Sequence, residues 1–382
     1  MAHDGMAGMM RKSDDPAFAV TRAQLVAMSM LTVLALVAGS VFAASQANLT
    51  VSARQVGNAV MPPGMVMRRD LDAESMRDMA AVDLRSVRYE AAPEARGDQT
   101  IQPRVEGGVK VYELEAAVTL WNILPWVRVA AYAFNGQVPG PRIRIVEGDH
   151  VRIVVRNSLP EPTTIHWHGL VVPNTMDGPA EITQAPIQPG GTFTYEFAAQ
   201  QAGTFFYHSH AKPDRQQALG LYGALIIDPK QGSSHYDQEL VVQLQEWLYK
   251  NGYTFPAMPM DGMQPNFFTI NGKSYPATET VHLRRGQDLL VRFIGSSSGF
   301  VHPMHIHGGP FTIVATDGSS VPEGARLVKD TVNVGPGERY DVVWHAREPG
   351  RWLLHCHINH HTTNDNREEQ GAGGLTLIID VT

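Results

Sequence analysis

The sequence predicts an all-β chain: two like-folded Greek-key β-barrel units behind an N-terminal signal or anchor segment and a tether. Three observations carry this. Short runs alternate apolar and polar residues between Gly, Pro, Asn and Asp turns, as in Val127–Phe134, Arg142–Val146, His150–Arg156 and Thr192–Phe197. Thirty-five glycines and 25 prolines punctuate the chain, and long helical periodicity is scarce. The alternating region also occurs twice. Phe134-Asn135-Gly136 is echoed by Ile270-Asn271-Gly272, and His166-Trp167-His168-Gly169 by His305-Ile306-His307-Gly308. Gly203 to His210 is echoed by Gly350 to His357, and Leu225 to Asp228 by Leu377 to Asp380.

Taken in order, residues 1–24 form a cytoplasmic n-region and residues 25–44 an unbroken apolar stretch of bilayer-spanning length. Arg11, Lys12 and Arg22 precede it, which puts the following chain outside the cytoplasm, periplasmic or secreted. Val41-Phe42-Ala43-Ala44 is an acceptable cleavage site, so a cleaved signal and a retained inner-membrane anchor both fit. The long n-region with Asp14 and Asp15 favours the anchor. Residues 45–105 read as a tether with one short helical segment, Ala73 to Val82, and an N-cap at Asp72. Domain 1 spans 106–230 and domain 2 spans 236–382, joined by Gln231-Gly232-Ser233-Ser234-His235.

A net charge of −7 and a pI near 6.1 give no basic footprint, which argues against nucleic acid as a partner. The single cysteine, Cys356, excludes an intrachain disulfide. It stands in Leu354-His355-Cys356-His357-Ile358-Asn359-His360-His361, where a thiolate among imidazoles suits a soft metal.

Eleven of the 16 histidines fall in four clusters. On a strand, residues i and i+2 share a face and i+1 points away. Each of the pairs His166/His168, His208/His210, His305/His307 and His355/His357 therefore presents two imidazoles in one direction. Eight such rings suffice for several copper ions. Cys356 faces the other way and builds a separate site, for which His302 and His361 are the candidate partners. The chain returns at Leu375, which cannot coordinate, and the loss of a soft axial donor raises a copper potential. The repeat supplies a control. Thr163, Ser209 and Asp214 stand opposite His302, Cys356 and His361, so domain 1 keeps its paired histidines and lacks the mononuclear set.

These motifs, with Asp177-Gly178, Thr183-Gln-Ala-Pro-Ile187 and Gly220-Leu-Tyr-Gly223, resemble the multicopper oxidase family over about 106–382. Two cupredoxin-like domains with the mononuclear set only in the second resemble its bacterial two-domain laccases. The resemblance implies four coppers per chain. His302, Cys356 and His361 would bind type 1 copper, with Leu375 axial. His166 and His305 would bind type 2, and His168, His208, His210, His307, His355 and His357 the type 3 pair. The implied reaction is one-electron oxidation of a small reductant, a phenol, aromatic amine or metal ion, coupled to reduction of O2 to water. Cys356 would be the electron path. The resemblance also implies a homotrimer with trinuclear clusters at subunit interfaces.

Asp177 matches the acid that orients water near the cluster in relatives, and an Asp-Gly turn is its simpler role. Some relatives carry a glutamate in the stretch where this chain has Asn359 and His360; His360, as an imidazole, is the candidate substitute, and a supporting or solvent-facing role is its alternative. The insertion Thr362 to Gly374 is expected beside the mononuclear histidines, shaping the reductant entrance or forming a plain surface loop. The methionine groups Met61–Met67 and Met258–Met263 suit Cu(I) or simple packing. The type 1 cysteine of copper nitrite reductases lies in the first domain, where this chain has Ser209. A non-catalytic cupredoxin scaffold would have lost ligands that are all present here.

Overall fold

A computed structural model of the chain describes residues 21–55, 59–62, 73–232 and 235–382. The n-region through residue 20, Met65, Met67, Asp72, Ser233 and Ser234 lie outside them. The N-terminal unit is one helix, Arg22–Gln55. Thr21 opens it with a capping box: its Oγ1 accepts from Gln24 N at 3.3 Å, and Gln24 Oε1 accepts from Thr21 N at 2.9 Å. Its first 22 residues, Arg22–Ala43, are apolar enough to cross a membrane, and their side chains are exposed. At 1.5 Å per residue they reach about 33 Å, the thickness of a bilayer core. The helix starts before residue 25 and continues past residue 44, so the first part of the expected tether is helical.

The rest of the tether keeps its expected short helix but adds strands that were not expected. Ala73–Met79 is a helix whose Met76 and Met79 are buried. Val82 N donates to Thr254 O at 2.9 Å, which ties this arm to domain 2. Val87–Glu90 runs parallel to Val109–Leu124 and Arg104–Glu106 runs antiparallel to it. The domain 1 sheet therefore begins near residue 87, because these strands supply edge hydrogen bonds that the 106 boundary would leave unmade.

Each β domain packs two sheets face to face, as the repeat predicts. In domain 1, the sheet around Val109–Leu124 faces a four-stranded sheet in the order Ile143–Val146, Tyr222–Asp228, Gly203–His208, His166–His168. In domain 2, the sheet around Gln238–Lys250 faces the sheet Thr280–Leu283, Thr376–Val381, Gly350–Cys356, His302–Ile306, Thr331–Val334. Both domains make a tight turn on Asn-Gly, closed by the bridges Phe134–Gln137 and Ile270–Lys273, with two positive φ values, 52° and 70° at Asn135-Gly136 and 49° and 74° at Asn271-Gly272. That is the geometry Asn-Gly favours. Asn135 Oδ1 accepts from Glu115 N and Asn271 Oδ1 from Gln243 N, so the two long strands superpose residue by residue.

Domain 1 closes over Trp167, Tyr195, Phe205 and Tyr207, and domain 2 over Phe268, Phe293, Trp344 and Leu354. A third apolar layer joins Trp121, Val129, Val138 and Tyr222 of domain 1 to Trp247 and Phe267 of domain 2. Trp121 Nε1 donates to Gly272 O at 2.7 Å across this layer. Burying each such aromatic is worth about 1.5–3 kcal/mol, so the two barrels form one body.

Candidate metal centres

The three-donor set assembles at one end of the domain 2 barrel. His302 opens the strand His302–Ile306, and Cys356 ends Gly350–Cys356, where it pairs with Met304. His361 sits on the single turn Asn359–Thr362. The backbone pins the group: Cys356 N donates to Leu375 O at 3.0 Å, and Leu375 N donates to His361 O at 2.8 Å. His302 Nδ1 lies 3.2 Å from His361 Nδ1, and Cys356 Sγ lies 3.5 Å from His361 Nδ1 and 4.0 Å from His302 Nδ1. Donors so spaced suit a trigonal ion with bonds of about 2.0–2.3 Å. All three side chains are buried, and the fully buried Leu375 offers no donor beside them.

Burial also sets the protonation of this pocket. It pushes the Cys356 thiol up to about 12 and His361 down to about 3, with the neighbouring His302 adding to the latter. A thiolate here needs a cation to hold it, and the His361 imidazole is held neutral with a free lone pair. Two nitrogens, one thiolate sulfur and no axial donor fit copper.

The paired histidines form two cups of four rings. In domain 1, the His166 centroid lies 5.5 Å from His168 and 5.4 Å from each of His208 and His210. His166 and His208 are register partners on adjacent strands. In domain 2, His305 lies 4.9, 5.6 and 5.9 Å from His307, His355 and His357, and His305 pairs with His355 in the same way. Facing nitrogens come within 3.3 Å at His168 Nδ1 and His208 Nε2, and within 3.0 Å at His307 Nε2 and His355 Nε2.

Backbone carbonyls fix four of these tautomers. His166 Nδ1 donates to Asp177 O, His208 Nδ1 to Ser209 O, His305 Nδ1 to Asp330 O and His355 Nδ1 to Cys356 O, at 2.7 to 2.9 Å. Each leaves Nε2 with a lone pair, the usual outer-shell arrangement of metal-ligating histidine. Burial lowers the pKa of His166, His208, His307 and His355, and takes His168 to about 3 with the Arg339 charge assisting. These five rings are therefore held toward the neutral, metal-binding form. Among the described residues, no ring contact or shared donor cluster joins one cup to the other. The eight imidazoles form two half-sets within one chain.

Asp177 lies at the domain 1 cup, with its Oδ1 3.5 Å from His166 Nδ1 and partly exposed. Its Asp-Gly turn is also structural, because a Cβ on Gly178 would meet Ile165 O at 1.9 Å. His360 takes its solvent-facing alternative. It is exposed, and its ring contacts are Phe268 at 5.6 Å and His361 at 6.4 Å, not the cups. The turn that carries His361 into the three-donor pocket carries His360 with it.

The insertion after His361 is rooted by Asn364, which accepts from Ser274 Oγ and Gly374 N and donates to Tyr275 O. Its tip from Asp365 to Glu368 is exposed. Met258 and Met263 are buried, which makes the second methionine group packing, with Met260 alone exposed.

Sequence reasoning missed four residues. Glu246, buried, bonds His302 Nε2. Phe268 stacks on His361 at 4.4 Å. Asp330 holds His305 through a carbonyl, which leaves no side-chain signature. Gln216, not the exposed Asp214, fills the place of His361 in domain 1: its Oε1 accepts from Thr163 Oγ1 at 2.7 Å and Ser209 Oγ at 2.6 Å. Only Glu246 had a signal, the one acid inside the stretch Leu240 to Leu248, whose other residues are apolar or glutamine.

Comparison with known proteins agrees with this geometry. Two domain families, both described as multicopper oxidase, match residues 116–232 and 255–366. Copper resistance protein A of Pseudomonas syringae is 32% identical over 264 residues, covering 56% of this chain and 42% of its own length. Laccase-1 of Cryptococcus neoformans is 34% identical over 249 residues, covering 57% of this chain and 39% of its own. The chain thus spans about two-fifths of the length of these relatives. The blue copper oxidase structure from Nitrosomonas europaea is 34% identical with a TM-score of 0.66, covering 72% of this chain and 86% of that one. The chain belongs to the multicopper oxidase family, and copper is the metal that its donor sets fit.

Proposed function

We propose that the chain is a laccase-like oxidase that takes single electrons from a small reductant in domain 2 and delivers them to O2 at a cluster shared between subunits. The observation that carries this is the division of labour along one strand. Cys356 points into the three-donor pocket, while His355 and His357 face the cup on the other side. Copper, when bound, supplies the one-electron couple at the first place and O2 reduction at the second.

The chain's own residues do the rest. His302, Cys356 and His361 act as the type 1 ligands, with Leu375 lying alongside. His166 and His305 act as the type 2 ligands, and His168, His208, His210, His307, His355 and His357 as the type 3 ligands. Cys356 joins the two places through its own backbone. Asp177 orients water beside the domain 1 cup, with its Oδ1 3.5 Å from His166 Nδ1. The loop Thr362 to Gly374 borders the entrance for the reductant.

The two half-sets support assembly as a closed ring in which one subunit's domain 1 cup meets the next subunit's domain 2 cup. Val328, exposed and apolar, lines the cavity that holds His305, His307 and Asp330, with the exposed Leu327 next to it in the chain, and Ile182 is exposed on the loop that follows Asp177. The apolar helix supports an extracytoplasmic site, anchored or released after cleavage. A phenol or aromatic amine is the first reductant to try. Cu(I) is the second, supported by two relatives named copper resistance protein A. O2 uptake with phenols, Cu(I), Fe(II) and Mn(II) tests the assignment, and nitrite reduction without O2 uptake would overturn it.

A further inference from the structure

We infer that Glu246 is a positioning residue for the mononuclear site, which sets the tautomer of His302 and lowers the reduction potential of the copper held there. The inference rests on the copper reading above. Glu246 is 1% exposed and His302 0%. His302 Nε2 lies within hydrogen-bonding distance of Glu246 Oε1. A carboxylate oxygen accepts, so Nε2–H donates, and Nδ1 is left with the lone pair. Nδ1 is the nitrogen that faces Cys356 Sγ and His361 Nδ1. One hydrogen bond therefore selects the ligand atom and fixes the plane of the ring.

Glu246 acts beside a partner. It is the register partner of Phe268 on the adjacent strand, and Phe268 stacks on His361 at 25°. Two cross-strand neighbours thus hold both imidazoles, one by its carboxylate and one by its ring face.

The duplicated fold separates this role from mere packing. The matched bonds Asn135–Glu115 and Asn271–Gln243, and the pairings Ala116↔Phe134 and Leu244↔Ile270, align Glu246 with Val118 and Phe268 with Tyr132. Domain 1, with Thr163 in place of His302, has an apolar residue where domain 2 has the acid. Burying a carboxylate costs free energy unless it is paired, so its presence only where the histidine ligand is present points to the metal.

The sign of the electronic effect follows from charge. A fixed negative group behind one ligand favours the more positive oxidation state, and so favours Cu(II) over Cu(I). The missing axial donor at Leu375 works the other way.

Redox titration of the blue band in the copper-loaded full chain tests this. Glu246→Gln keeps an acceptor for Nε2–H and removes the charge, so the potential should rise while the blue band stays. An unchanged or lowered potential would overturn the inference. A wild-type measurement covers the case in which the variant does not fold. Histidine 15N spectra of the Cu(I) protein should show His302 protonated at Nε2 and not at Nδ1, and the opposite tautomer would overturn it. A wild-type chain that forms no blue copper would instead sink the copper reading itself.

Discussion

The hydroxyl of Ser209 donates to Gln216 Oε1 at 2.6 Å at the place in domain 1 where Cys356 and His361 meet in domain 2. Thr163 completes the substitution, and Gln216 Nε2 donates onward to Glu161 and to Pro162 O. A closed polar network occupies the space that donors occupy in the second copy. Gln216→Ala should leave buried hydroxyls unpaired and cost about 1–3 kcal/mol in urea unfolding, with the blue band unchanged. A loss of blue copper would mean that domain 1 contributes to the mononuclear site.

Cys356→Ser should abolish the blue absorbance, because serine supplies no thiolate to the fully buried pocket. Copper analysis should fall by one ion per chain, with the paired histidines still loaded. Retention of the colour would place the blue site elsewhere.

His166→Ala should keep the colour and stop O2 uptake, since His166 belongs to the domain 1 cup and lies outside the three-donor pocket. Loss of both properties would refute the partition into two kinds of site.

Val328→Asp, with Leu327→Asp beside it in the chain, places charge on side chains that are 67% and 61% exposed, the first of them lining the cavity of His305 and His307. The fold of the single chain should survive. Light scattering should show smaller particles that remain blue and consume no O2. An unaltered assembly would move the interface away from this face.

Much of this molecule was legible in its sequence because duplication and strand periodicity are local signals. The i, i+2 spacing of His355 and His357 dictated two faces, and the structure separates them accordingly. Asn-Gly at 135–136 and 271–272 announced the turns that align the two domains. What was missed depended on tertiary approach. Glu246 reaches His302 from a strand more than fifty residues away in sequence. Gln216, two positions beyond the expected Asp214, meets Ser209 because the short helix Pro213–Gln216 turns its side chain inward. The strands at Val87–Glu90 and Arg104–Glu106 were hidden in a Pro- and Arg-rich stretch whose pairing is set by the edge of another strand.

The central claim is that one subunit's domain 1 histidines complete the cluster of another's domain 2 histidines. Co-expression of two inactive chains tests it most directly, one carrying His168→Ala with His208→Ala and the other His307→Ala with His355→Ala. In a mixed closed ring, an intact domain 1 cup of one chain meets an intact domain 2 cup of the other, restoring roughly one third of the clusters in a three-membered ring. O2 uptake should return in the mixture and be absent from each chain alone. No return of activity in mixed rings that remain blue would contradict it.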